Sequence, residues 1–360
     1  MEIKDLSNEQ LAGQRLMVGF DGTGLSDDLK LLIDTIKVGG IILFAGNLSS
    51  PEQIKDLCFS AQEYALKCGQ PGLFISVDQE GGQVARLKPP FTQFPGNPKM
   101  KDEEDAINFA QVTAKELKGV GINMNMAPVL DVAQKGINSV MAGRAFGSDP
   151  AWISKLGIKI IENLQQNKIM AVAKHFPGIG RTILDSHLDM PTLKTDLISM
   201  ESVDLLPFKA AIKHEVAGIM LSHILYKQID PDWPASLSVC IAVDILRKQM
   251  GFNGIVITDD LDMGAIKGRF DIKTIIRQIL AADINIALIC HKGPNIELAF
   301  NEILNGLKFS DQLMEKGKES VRNILNLKRK YLNYQILGGF TNAGYHNRSR
   351  TFCSDSKTNK

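Results

Sequence analysis

The chain has 360 residues, 44% of them hydrophobic and 22% charged, which excludes wholesale disorder, a collagen-like fibre and a membrane bundle. Lys plus Arg number 41 against 40 Asp plus Glu, a formal net charge of +1, so neither nucleic acid nor an anionic membrane surface is an expected partner. At roughly 150 residues per domain the length points to about two domains, although α/β barrels exceed that size as one unit.

The first twenty residues carry acids at positions 2 and 5 and no continuous apolar core, so no secretory signal is expected. No apolar stretch approaches the ~20 residues of a membrane-spanning helix. The cysteines, Cys58, Cys68, Cys240, Cys290 and Cys353, are odd in number and lack metal-type spacing. They predict no disulfide framework, and Cys240 and Cys290 read as small buried hydrophobes. The expected location is the cytoplasm.

Short apolar runs then recur along the chain, at 16–20, 40–44, 73–77, 122–126, 169–173, 218–222, 255–258 and 284–289. They are continuous rather than alternating, as in strands of a parallel sheet buried on both faces. Between them lie helical patterns, for example 52–66, 103–118, 151–166, 240–250 and 272–282. Ser50-Pro51 and Asp149-Pro150 place a cap before a proline, as helix starts do. Eight strands alternating with helices predict a (β/α)8 barrel. A doubly wound sheet is the competing fold, but the turn Phe20-Asp21-Gly22-Thr23-Gly24 opens no glycine fingerprint of the dinucleotide-binding kind. The barrel replaces the two-domain expectation with a single domain over 1–335, followed by a polar, aperiodic tail at 336–360.

Barrel strands deliver their C-terminal residues to one mouth. Here the third run ends in Asp78-Gln79-Glu80, the fifth in Lys174-His175, the sixth in Ser222-His223 and the seventh in Asp259-Asp260. Two long connections, 78–101 and 174–203, hold more titratable groups, among them Asp185 and His187. A carboxylate fixed at Asp259 suits a nucleophile or a cation-stabilising group, and equally a helix cap, a role Asp260 or Asp262 could share. Asp185-Ser186-His187 places a carboxylate where it can orient an imidazole for proton transfer; the plainer alternative is a solvated loop. Lys174-His175 reads either as a donor pair for substrate hydroxyls or as a brace of the barrel rim. Arg86 and Arg144 would not be singled out by position alone. A metal-dependent hydrolase is the chemical competitor, but the His-x-His expected after the first strand and the H-E-x-x-H motif are both missing. Lys292-Gly293-Pro294 is a weak candidate for phosphate.

The run Lys174-His175-Phe176-Pro177-Gly178-Ile179-Gly180, followed by Asp185-Ser186-His187 and Pro191, resembles the signature of glycoside hydrolase family 3. It is especially similar to that of single-domain bacterial β-N-acetylglucosaminidases of the cell-wall recycling type. Further matches fall in order at 39–44, 78–86, 127–132, 143–147 with 149–150, 222–223 with 234–236, and 258–263, so the resemblance covers roughly residues 10–330. It implies a retaining mechanism with Asp259 as nucleophile and His187 as acid/base, with Asp185 as its partner. It further implies a terminal N-acetylglucosamine held by Asp78, Arg86, Arg144, Lys174 and His175. No cofactor and no metal are implied, and the expected partner is a small carbohydrate, N-acetylglucosamine-containing, bound by a monomer.

Many relatives carry His at the position of Ile179 and Asp at that of Arg181. The loop therefore needs polar support from elsewhere, and Arg181 reverses a local charge. Alternatives within the resemblance are a β-glucosidase, a glycoside phosphorylase and a catalytically inactive sugar-binding protein.

Overall fold

The computed structural model describes residues 2–183 and 190–332. Each of the eight apolar runs forms a strand: β1 (Leu16–Val18), β2 (Gly40–Leu43), β3 (Phe74–Val77), β4 (Met124–Asn125), β5 (Met170–Phe176), β6 (Gly218–Leu221), β7 (Ile255–Asp260) and β8 (Ile286–Ile289). All neighbours pair in parallel, and β1 closes the ring against β8 through the register Leu16↔Ala287. The result is a (β/α)8 barrel. Continuous apolar runs are required because both strand faces are dry. Leu16 and Val18 pack outward with the helix residues Leu11, Leu29 and Ile33. Met17, between them, points inward among Ile42, Phe74, Met124, Met170 and Leu288.

Helix starts follow the caps foreseen in the sequence. The Ser50 hydroxyl accepts from the Gln53 N–H at the head of the helix Pro51–Lys67, and the Asp149 carboxylate from the Ala151 N–H at the head of Pro150–Gln166. The long helix Asp311–Tyr331 supplies the floor of the barrel: Ile324 and Tyr331 join the inward cluster. From the same helix the fully buried Lys328 donates to Gln14 Oε1 at 2.6 Å and lies 5.2 Å from the Phe74 ring centroid. Burial pushes its ammonium well below the ordinary lysine range.

β5 and β7 run past the ends of their apolar stretches, and this places the chemistry. From Ala173 to Phe176, β5 advances three residues while β6 advances two; from Ile257 to Asp260, β7 does the same against β8. One extra residue in a strand breaks the inward-outward alternation and re-aims side chains. Neighbours that would otherwise face opposite ways, Lys174 with His175 and Asp259 with Asp260, thereby line the same cavity.

The cysteine reading needs one correction. Cys58 and Cys290 are the buried pair, whereas Cys240 is only half-buried at a helix start. Among the described residues no helix is long and apolar enough to cross a membrane.

Candidate active site

Each site residue comes from a strand end or the loop that follows it. Asp78 succeeds β3 directly, and the chain then turns back in a small antiparallel ladder, Gln79–Gly81 with Val84–Ala85. The turn needs glycine at position 82: its φ is +61°, and a Cβ there would sit 3.0 Å from the Gly96 Cα and from the Pro95 carbonyl. The Gln79 side chain accepts from the Arg86 and Leu87 N–H groups and holds the returning strand in place. Asp78 and Arg86 are thus brought to one edge, with Arg86 Nη2 3.7 Å from Asp78 Oδ2.

Lys174 lies at the centre of the charges. Its ammonium, almost fully buried, sits 2.7 Å from Asp78 Oδ1 and 2.7 Å from Glu80 Oε1. Glu80 also accepts from Arg144, at 3.0 Å from Nε and 2.7 Å from Nη2, the forked geometry suited to guanidinium and carboxylate. Burial alone would raise Glu80, but Lys174 and Arg144 outweigh it and hold the carboxyl down to about 2. Burial alone would likewise lower Lys174, and Asp78 with Glu80 keeps it above the ordinary lysine range.

His175 is oriented from behind by Asp131, which follows β4 and is fully buried. His175 Nδ1 lies 2.8 Å from Asp131 Oδ2, and Asp131 Oδ1 takes the Ile179 N–H at 2.8 Å. A carboxylate can only accept, so Nδ1 carries the proton in this contact. The same aspartate ties down the turn 177–180, where a Cβ on Gly180 would lie 1.9 Å from the Val132 carbonyl oxygen.

The aspartates at the end of β7 do different work. Asp260 Oδ1 accepts from the Asp262 and Cys290 N–H groups, and burial raises its carboxyl. Burial pushes Asp259 the same way, but His223, His175, the Asp260 N–H and Lys174 together hold it below the usual carboxylate range. The two adjacent carboxyls are thus driven in opposite directions. Asp260 takes the cap-like role, leaving Asp259 ionised in the cavity. His223 is spoken for: its ring nitrogens meet Ser236 Oγ at 2.7 Å and the Asp260 carbonyl at 2.8 Å.

Asp78, Arg86, Arg144, Lys174, His175 and Asp259 therefore line one cavity of about 320 Å3, whose apolar wall includes Ile42, Met220 and Leu288. Asp185 and His187 lie outside the described residues. Sequence reasoning passed over Glu80 and Asp131, which touch the cavity-lining cations and imidazole from behind. Several cations gathered in a dry pocket need counter-charges, and that balance could have drawn attention to Glu80. The weak phosphate candidate is engaged elsewhere, as Lys292 pairs with Asp28. Among the described residues no group of three or more His, Cys, Asp or Glu side chains is arranged to hold a metal ion.

The support that Ile179 cannot give by hydrogen bonding comes from its backbone N–H on Asp131 and from Arg181, whose Nε donates to Asp204 Oδ2 at 2.8 Å. Asp204 is buried, its Oδ1 has no partner among the described residues, and burial raises its carboxyl to about 6. An unfolded aspartate titrates near 3.9. Between about pH 6 and pH 4 the folded protein thus holds a proton that the unfolded chain lacks. This group's contribution rises as pH falls through that window and is lost as pH rises through 6. Urea unfolding of Asp204→Asn at several pH values is expected to lack that slope, worth roughly 2–3 kcal/mol in all. An unchanged slope would refute the assignment.

A family model described as the glycosyl hydrolase family 3 N terminal domain matches residues 8–327. A β-hexosaminidase of Nitrosomonas eutropha is 33% identical over 328 residues, covering 87% of this chain and 91% of its own length. Among solved structures, a glycoside hydrolase family 3 β-N-acetylglucosaminidase from Paenibacillus sp. FPU-7 superposes with a TM-score of 0.87 at 34% identity, over 91% of this chain and 63% of that one. The present chain thus spans under two thirds of that longer protein. NagZ from Neisseria gonorrhoeae, solved in complex with N-trifluoroacetyl-D-glucosamine, superposes with a TM-score of 0.75 at 28% identity, covering 91% and 93% of the two chains.

Proposed function

The chain belongs to glycosyl hydrolase family 3 and is a glycoside hydrolase, and we propose that it removes single β-linked N-acetylglucosamine units from the non-reducing end of small glycans. The observation that carries this reading is the division of labour in the cavity. An ionised Asp259, whose Oδ1 takes only the neighbouring Asp260 N–H, stands beside a set of hydroxyl-binding groups, Asp78, Lys174, Arg144 and Arg86. A cavity of about 320 Å3 lies at the small end of ligand sites and suits one sugar ring, hence exo action. The names of the relatives and the N-acylglucosamine bound to NagZ favour N-acetylglucosamine as that ring.

In this mechanism Asp259 attacks the anomeric carbon while His187, oriented by Asp185, protonates the departing oxygen. A glycosyl ester forms on Asp259 and the aglycone leaves. His187, now neutral, then takes a proton from water, which attacks the ester and releases the sugar with its original stereochemistry. A neutral imidazole serves here because it adds no second negative charge opposite the nucleophile. Asp78 accepts from sugar hydroxyls, while Lys174, Arg144 and Arg86 donate to them. The physiological substrate in this reading is a peptidoglycan-derived fragment, handled in the cytoplasm by a monomer without a cofactor.

The test is a panel of aryl β-glycosides together with trapping by a 5-fluoro-N-acetylglucosaminyl fluoride. Aryl N-acetylglucosaminide is expected to turn over at least a hundredfold faster than aryl glucoside, and peptide mass spectrometry to find the label on Asp259. Comparable glucoside turnover would overturn the substrate, release of sugar phosphate only in phosphate buffer would make the enzyme a phosphorylase, and a label elsewhere would move the nucleophile.

A further inference from the structure

The sugar site described above has a second layer that the cavity does not touch. Glu80 is 2% exposed and is not part of the cavity wall, yet three N–H groups from two separate parts of the chain end on its carboxylate. One comes from the Lys174 ammonium, at the end of β5, and two come from the Arg144 guanidinium, on the connection after β4. We propose that Glu80 is a positioning residue for substrate, fixing which donors Lys174 and Arg144 have left to offer the sugar.

An ammonium has three N–H bonds and a guanidinium five. Lys174 spends one on Asp78 and one on Glu80, leaving a single proton for the sugar. Arg144 spends Nε and one Nη2 proton on Glu80, and the fork fixes the plane of its guanidinium. The donors that remain on both cations are therefore fixed in number and direction before any ligand arrives, which lowers the ordering cost of binding. Asp78 differs because it faces the cavity itself and can exchange its bond with Lys174 for one from a sugar hydroxyl. Glu80 has no such access, and so acts only through the two cations.

Charge supports the same role. Around the Lys174 ammonium stand Asp78 from the end of β3, Glu80 from the hairpin that follows, Arg144 from the β4 connection and Asp259 from β7. Burial and Arg144 favour the neutral amine, while Asp78 and Glu80 favour the ammonium. Without Glu80, one of the two contacts that keep the lysine protonated is gone and the like-charged Arg144 is left without its counter-ion.

The inference rests on the sugar-site reading above, so its test pairs one measurement that needs no substrate with one that does. The first is a 15N titration of the Lys174 side chain by NMR in wild type, Glu80→Gln and Glu80→Asp. Lys174 is expected to lose its proton at least one pH unit lower in Glu80→Gln and near the wild-type pH in Glu80→Asp, which restores charge. The second is steady-state kinetics on aryl N-acetylglucosaminide. Both variants are expected to raise KM about 10–100-fold, with the alkaline limb of kcat/KM shifting only in Glu80→Gln, because aspartate is too short to hold both cations in register.

An unmoved Lys174 titration in Glu80→Gln, or a wild-type KM in Glu80→Asp, would overturn the role, as would loss of thermal stability with unaltered KM and alkaline limb. Wild type without activity on this substrate would sink the sugar assignment; the titration would still decide the link between Glu80 and Lys174.

Discussion

Asp259→Ala is expected to lower kcat on an aryl N-acetylglucosaminide by about 10^4-fold or more, the scale seen when a nucleophile is removed from a site that keeps its binding groups. KM should change little, because Asp78, Lys174 and Arg144 are held by Glu80 and by one another rather than by Asp259. The fold should tolerate the change, since two of the backbone N–H groups that brace the end of β7, those of Asp262 and Cys290, end on Asp260 and only the Asp260 N–H ends on Asp259. Added azide is expected to restore part of the turnover and yield a glycosyl azide of inverted configuration, with azide attacking from the space the carboxylate vacated. Activity within tenfold of wild type would move the nucleophile to another carboxylate, with Asp260 the first to examine.

A loss of a different kind is expected from Lys174→Met. The methionine fills similar volume but leaves Asp78 and Glu80 facing each other in a dry pocket without the shared ammonium. Breaking a buried ion pair by removing one partner costs about 3–5 kcal/mol, so this variant should lose both stability and substrate affinity. The pH dependence identifies the cause. In wild type Glu80 titrates near 2, well below an unfolded glutamate at about 4.3. Its stabilisation is therefore present above the unfolded value and lost as pH falls through 2. In the variant Glu80 titrates higher, protonation relieves the repulsion, and the stability deficit should shrink between pH 7 and pH 5 in urea unfolding. A deficit independent of pH would mean that packing, not charge, is what was lost.

The barrel was legible because dryness on both strand faces leaves a mark that survives in one sequence: runs such as 40–44 and 255–258 with no polar alternation. Strand ends were legible for the same reason, since charge following such a run has few places to go except the mouth. The bulges in β5 and β7 were not legible. Nothing in Val172-Ala173-Lys174-His175 announces an extra residue, because it is a mismatch with a neighbouring strand that comes tens of residues later. The second layer was hidden for a related reason. Glu80 and Asp131 stand next to prominent motif residues but matter through partners on other loops, and pairings such as Glu80 with Arg144 exist only once the barrel is closed. Asp259 and Asp260, inseparable by position, were distinguished by which backbone N–H groups each accepts.

The floor of the barrel also bears on how the molecule is made. Lys328 meets Gln14 across 314 residues of sequence, and β1 finds its second neighbour only in β8. A chain emerging from the ribosome therefore carries an open seam along β1, and a core uncovered from below, until almost all of its described length has been synthesised. Contacts of that span form late, and until they form the apolar seam and floor are exposed to self-association. The lysine gives this interval a chemical signature. While the floor is open its amine is solvated and charged; once the helix Asp311–Tyr331 docks, the amine is sealed from water. The accessibility of Lys328 to an amine-reactive label would thus mark the moment at which the barrel closes.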